Sequence, residues 1–246
     1  MVREEVLSAE ALNAASTAEL KNKLLQLTEG QDTEPLNKKV RFYQNKLKPL
    51  FEELSRRNPF PTVEEQVSIV PGVWLSHWST IPFQDSLPGR IPNQSYQIFH
   101  NDGYYANIAR YAPGHQRSLV QKFSSFLLAY DFMIVQRFEA RDGRWFIQNV
   151  AIEQAFRLRG IPLDVDRAEN WFTQVVQSKL KGSAQANNSW KAALTRPNKL
   201  TGKKLEKIAL ATPQLEHLYL DHDFRLVKTQ REAKQRPSYT IAVRTR

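Results

Sequence analysis

The chain contains no cysteine. Disulfides, zinc–thiolate centres, iron–sulfur clusters and cysteine nucleophiles are therefore excluded, while a reducing compartment is compatible with the composition but not required by it. No apolar run approaches the length that spans a bilayer as a helix, so no transmembrane helix is expected. Gly-x-Ser-x-Gly, the phosphate loop and the dinucleotide fingerprint are all missing. The opening residues carry Glu4, Glu5 and Glu10 in place of a basic start and an apolar run. They resemble neither a secretory signal nor a transit peptide, and a mature chain, or one made where it works, is expected.

What is present suits a globular protein. The 246 residues, 41% of them hydrophobic, suffice for one large domain, or a domain with an arm, with a core of its own. Lysine and arginine total 35 against 25 acids, a net charge of +10. The excess falls late: Lys179, Lys181, Lys191, Arg196, Lys199, Lys203, Lys204 and Lys207, then Arg225 through Arg246. Such a charge attracts polyanions or an anionic membrane. The sequence has no helix-turn-helix, zinc module or RNA-binding aromatic motif, so nucleic acid is not the expected partner. Lys199, Lys203, Lys204 and Lys207 are the candidate membrane- or anion-facing residues, although a basic run is also commonly just a solvated face.

The chain divides into a flexible N-terminus (1–15), a helical arm (16–61) and a β-rich remainder (62–246) interrupted at 164–212. Ser16 and Glu19 have capping-box spacing, and Leu20, Leu24 and Leu27 recur at helical spacing before Gly30. A second helix, roughly 36–57, carries Val40, Tyr43, Leu47, Leu50, Phe51 and Leu54 as one stripe. Pro49 should kink it, and Asn58-Pro59-Phe60-Pro61 should end it. These stripes must bury against something; packing on the barrel, where the helices could cover one opening, is favoured over docking to a partner. From residue 70 short aromatic and β-branched segments alternate with turns: 72–79, 94–100, 104–111, 131–139, 144–158, 218–220, 223–228 and 238–244. Asp102-Gly103 and Asp142-Gly143 are hairpin turns. This pattern predicts an up-and-down antiparallel barrel. Asp164 to Leu180 reads as a helix, and 181–207 as a basic surface excursion.

Gly72-Val73-Trp74 opens the first strand, in the manner of a lipocalin entry motif. There the tryptophan plugs the closed end and a late arginine, here Arg225, lies across its face. The order Asn58-Pro59-Phe60-Pro61, Gly72-Val73-Trp74-Leu75, then Tyr219-Leu220-Asp221-His222-Asp223-Phe224-Arg225-Leu226 resembles the plastid-lipid-associated (fibrillin) family over roughly 18–246. Phe99 to Asn107 resembles that family's second hairpin. Two places depart from the pattern: Lys228 to Pro237 is longer and more charged than the family's tight turn, and Ser76-His77-Trp78-Ser79 replaces a tyrosine-containing strand end.

The resemblance implies a lipocalin-like antiparallel β-barrel with an N-terminal helical arm. It further implies a non-enzymatic, peripheral protein of thylakoid or plastid membranes that binds or protects lipids, carotenoids or quinones, or supports photosystem complexes. No cofactor is required. The barrel-interior candidates are Trp74, Trp78, Phe99, Tyr105, Phe132, Trp145 and Arg225, which could line a ligand cavity or simply fill a narrow barrel. The alternative function is a bilin lyase or assembly factor on the same barrel. Asp221 and Asp223 share a strand face, but salt bridging or solvation at a hairpin end explains them better than a paired-carboxylate site. His217 and His222 are spaced to opposite faces, so no metal site is expected there.

Overall fold

The computed structural model describes residues 9–81, 89–112, 128–181, 214–230 and 235–246. The basic residues Lys199, Lys203, Lys204 and Lys207 lie outside these, as does most of the excursion at 181–207.

The chain is mainly β. Eight strands, β1 (Gly72–Ser79), β2 (Arg90–Phe99), β3 (Tyr104–Tyr111), β4 (Leu128–Arg141), β5 (Arg144–Leu158), β6 (Gln214–Leu220), β7 (Phe224–Gln230) and β8 (Ser238–Arg244), pair in sequence order, and β8 returns to β1. Every pairing is antiparallel, so the sheet closes into a ring. Asp142 and Gly143 both have positive φ, 53° and 66°, as the two-residue turn between β4 and β5 requires. The seam between β5 and β6 is the thinnest. Among the described residues it is held by Trp145 against Leu215 and Phe146 against Gln214.

Helices cover the outer face of β1–β4 and of β6–β8, while β5 stays largely half-exposed. The arm comprises α1 (Ala9–Ala14), α2 (Thr17–Thr28), α3 (Leu36–Phe42) and α4 (Lys48–Arg56). Ser16 caps α2 in a reciprocal box with Glu19, as the spacing predicts. Between α3 and α4 the helical bonding widens over Tyr43–Leu47, where Lys48 N–H donates to Tyr43 O. Pro49 has no N–H to give, and this wide turn just ahead of it absorbs the mismatch.

The arm's stripe, including Leu20, Leu24, Leu47, Leu50, Phe51 and Leu54, forms one core with Trp78, Tyr219, Phe224, Leu226 and Ile241. It therefore covers the outer wall of β1 and β6–β8, not an opening of the ring. The N-terminus also corrects expectation: residues 9–14 are helical with Leu12 buried, and Arg57 donates to the carbonyls of Leu12 and Ala15, at 3.0 and 2.6 Å.

A short helix absent from the sequence reading, α5 (Val63–Ile69), lies between Pro61 and the first strand. Thr62 and Glu65 form its capping box. The helix expected after residue 164 is α6 (Val165–Val175), capped by Asp164. It is no loose excursion: Ala168 and Phe172 are fully buried against the outer face of β1–β4 through Val73, Ile98, Ile108 and Met133. No helix among the described residues is long and apolar enough to cross a membrane.

Candidate functional site

Alternation decides what points into the ring. On β7, Phe224 and Leu226 are drawn outward beneath the arm, so Arg225 between them must face inward. On β1, Val73 faces out against α6 and Trp74 faces in. Cross-strand neighbours share a face, so the register places Arg244, Trp74, Gln97, Asn107 and Ile134 in one inward row.

Five of the seven expected interior residues meet as predicted. Trp74, Phe99, Tyr105 and Trp145 belong to one buried cluster inside the ring. The Arg225 guanidinium carbon lies 5.0 Å from the Trp74 ring centre and 4.7 Å from that of Phe99. Phe132 is also buried, but in a separate cluster with Ala109, Tyr111, Tyr130 and Ile134. Trp78 is a correction. A bulge between Ser76 and Trp78 shifts the register against β8, which turns Trp78 out of the ring and into the core under the arm.

Arg244 was not anticipated: it is a second arginine on the Trp74 ring, beside the expected Arg225. Its guanidinium covers Trp74 at 4.1 Å and donates to the carbonyls of Ile69, His222 and Pro71, the last at 2.6 Å. Trp74 Nε1 in turn donates to Val70 O at 2.8 Å. This end of the ring is thus tied to α5 and to the turn after β6.

Arg225 is left with a different environment. It is completely buried, and Nη2 donates to Gln97 Oε1. From there a chain of amides runs around the wall. Gln97 Nε2 donates to Asn107 Oδ1 (2.9 Å), Asn107 Nδ2 to Gln136 Oε1 (2.8 Å), and Gln136 Nε2 to Asn149 Oδ1 (2.6 Å). Tyr105 OH joins it by donating to Asn107 Oδ1 at 2.7 Å. Every amide oxygen in the chain looks back toward the guanidinium, so the bonds polarise one another. Burial pushes the Tyr105 phenol up to about 12, with Arg225 opposing. Arg225 itself is brought down to about 10, chiefly by burial, and remains charged at neutral pH. Its Nε and Nη1 have no partner among the described residues.

Near the β5–β6 seam, Gln66 of α5 accepts from Trp145 Nε1 at 2.8 Å with the oxygen that also meets His217 Nδ1 at 3.1 Å. Since that oxygen can only accept, His217 carries its proton on Nδ1. Nε2 is therefore a bare acceptor, and it too is buried without a partner among the described residues. Burial, reinforced by Arg225, holds the imidazole well below the usual histidine range, and so neutral. A recess of about 1170 Å³ opens along this seam. It reaches the inward-facing Trp145, Ile147, Leu215 and His217, and its outer rim carries Arg56, Arg137, Arg141 and Arg144.

The acidic pair resolves as structural. Lys21 of α2 bridges Asp221 and Asp223 at 2.5 and 2.7 Å, while Asp221 accepts from the Phe224 backbone N–H at 2.8 Å. Burial would raise the Asp221 carboxyl, but Lys21, Tyr219 and the turn's own donors hold it down at about 2. His222 packs its ring on Phe60, away from His217.

The polar residues Gln97, Asn107, Gln136 and Asn149 were missed by sequence reasoning. The available signal was an amide at inward parity in four adjacent strands, invisible until the register is known. No protein-family model and no curated protein matches the chain.

Proposed function

We propose that this protein is a non-enzymatic binding protein whose closed ring takes up a small, largely apolar ligand, in the manner of lipocalins, at a photosynthetic membrane. The resemblance to the fibrillin family suggests a lipid, a carotenoid or a quinone. One observation carries the binding reading: the recess at the β5–β6 seam, whose volume suits a ligand of that size and which leads to aromatic and aliphatic side chains facing the interior. Buried polar atoms of Ser76, Ser95, Tyr130, His217 and Arg225 have no partner among the described residues, and a ligand could supply one. The net charge of +10 favours an anionic membrane surface as the place of work.

The test is native mass spectrometry of the full chain after incubation with a total thylakoid lipid extract. A one-to-one adduct is expected, identified by extraction and by its absorbance, which separates a carotenoid or a bilin from a colourless lipid. A chain that emerges bare at every extract concentration refutes ligand binding.

A further inference from the structure

Arg225 presents an unusual electrostatic problem. A fully buried cation normally has a carboxylate beside it, because desolvating an isolated charge is costly. Arg110, the other fully buried arginine among the largest such side chains, follows that rule: Asp131 accepts from its Nε and Nη2 at 2.5 and 2.8 Å. Arg225 has only the neutral amide of Gln97, and no carboxylate reaches it among the described residues. A second cation, Arg244, lies on the same tryptophan, and its own donors are engaged by backbone carbonyls.

The register places small side chains next to the guanidinium. Arg225 pairs with Ala242, and Ala242 with Ser76. Continuing one step along β1 and β2 from the Trp74–Gln97 pair brings Ser76 to Ser95, which pairs with Ala109. An inward layer of alanine and serine thus runs from Arg225 across four strands, between bulkier rows. Among the described residues the buried hydroxyls of Ser76 and Ser95 have no partner, and neither do Nε and Nη1 of Arg225. Small side chains, two idle hydroxyls and an unneutralised guanidinium fall together in one layer.

We infer that this layer is a head-group site for an organic carboxylate with an apolar body, which Arg225 binds as its missing counter-ion. A carboxylate meets a guanidinium edge with two parallel N–H···O bonds. Either free nitrogen supplies one of these, and the second hydrogen of Nη2 supplies the other. The Ser76 and Ser95 hydroxyls are donors for the remaining lone pairs. A single negative charge balances the single buried cation, whereas a phosphate monoester would bring close to two. Trp74 and Phe99 fix the plane of the guanidinium, and the apolar body extends toward the cluster of Tyr105, Trp145, Ile147 and Leu215. This inference rests on the ring being a ligand-binding cavity, as proposed above.

The experiment compares cis-parinaric acid with its methyl ester by fluorescence titration of the full chain at pH 7.5. The acid is expected to bind about 10- to 100-fold more tightly, the range of one or two charge-assisted bonds. In Arg225→Gln, which keeps a partner for Gln97, the acid should fall to the affinity of the ester while the ester is little changed. Circular dichroism establishes whether the variant folds; if it does not, the acid-to-ester ratio of the unaltered chain decides. Equal affinity for acid and ester overturns the carboxylate site and leaves the binding proposal standing. Failure of both probes to bind overturns the two together.

Discussion

At Gly72 the backbone φ is +126°, and an added Cβ would collide with the Arg244 guanidinium and the Arg246 carbonyl. The glycine of the Gly-x-Trp motif is therefore required by the arginine that closes over the tryptophan. Gly72→Ala should destabilise the fold by about 2–4 kcal/mol, as strain and overpacking act together; an unchanged denaturation midpoint would contradict this. Trp74→Ala should cost roughly 3–5 kcal/mol by the same measurement, the range of large core truncations. Asp221 gives a pH signature. Its folded carboxyl titrates at about 2, below its ordinary 3.8, so its stabilisation is complete above about pH 4 and fades as pH falls toward 2. Asp221→Asn should cost about 1–2 kcal/mol at pH 7. The gap between variant and unaltered chain, followed by urea unfolding, should narrow below pH 4; a constant gap would mean that the charge on Asp221 is irrelevant.

Among the elements, the arm and α6 do the work that solvent does for a bare sheet. They take up outward-facing Trp78, Phe224, Leu226 and Ile241 on one side and Val73, Ile98, Ile108 and Met133 on the other. Removing residues 1–57 would expose the first set, and the truncated chain should aggregate or bind a hydrophobic dye strongly. Light scattering that shows a stable monomer would instead make the arm a docking element. The helical periods of α2, α4 and α6 were legible because each has a single apolar stripe, and α2 and α6 have a capping residue as well. Helix α5 was not: it has only seven residues, too few for a period, although Thr62 and Glu65 held its capping box in plain view. The direction of Trp78 was equally hidden. A one-residue bulge reverses every side chain beyond it, and nothing in Ser76-His77-Trp78-Ser79 marks where that bulge falls.

For the whole molecule, the +10 charge predicts association with vesicles rich in anionic lipid and release as salt rises. Co-sedimentation at two salt concentrations checks it, and equal binding to neutral vesicles would remove the electrostatic account. The sequence by itself determined that this chain is mainly β, with a helical arm and hairpins at Asp102-Gly103 and Asp142-Gly143, because alternation, helical period and turn chemistry are local properties. It also brought Trp74 and Arg225 together, through the order of motifs at either end of the strands. Only the tertiary structure decided that a second arginine covers Trp74 at the end of the ring, and that Arg225 lies within it without a carboxylate among the described residues. Arg225 and Arg244 are both late-strand arginines with the same local character. Closure of β8 onto β1 carries Arg244 to the backbone carbonyls at the plugged end, and leaves Arg225 one row deeper, facing alanine and serine. That difference of one row is set by register, which depends on pairings between strands far apart in the chain and so is not written in any local stretch of it.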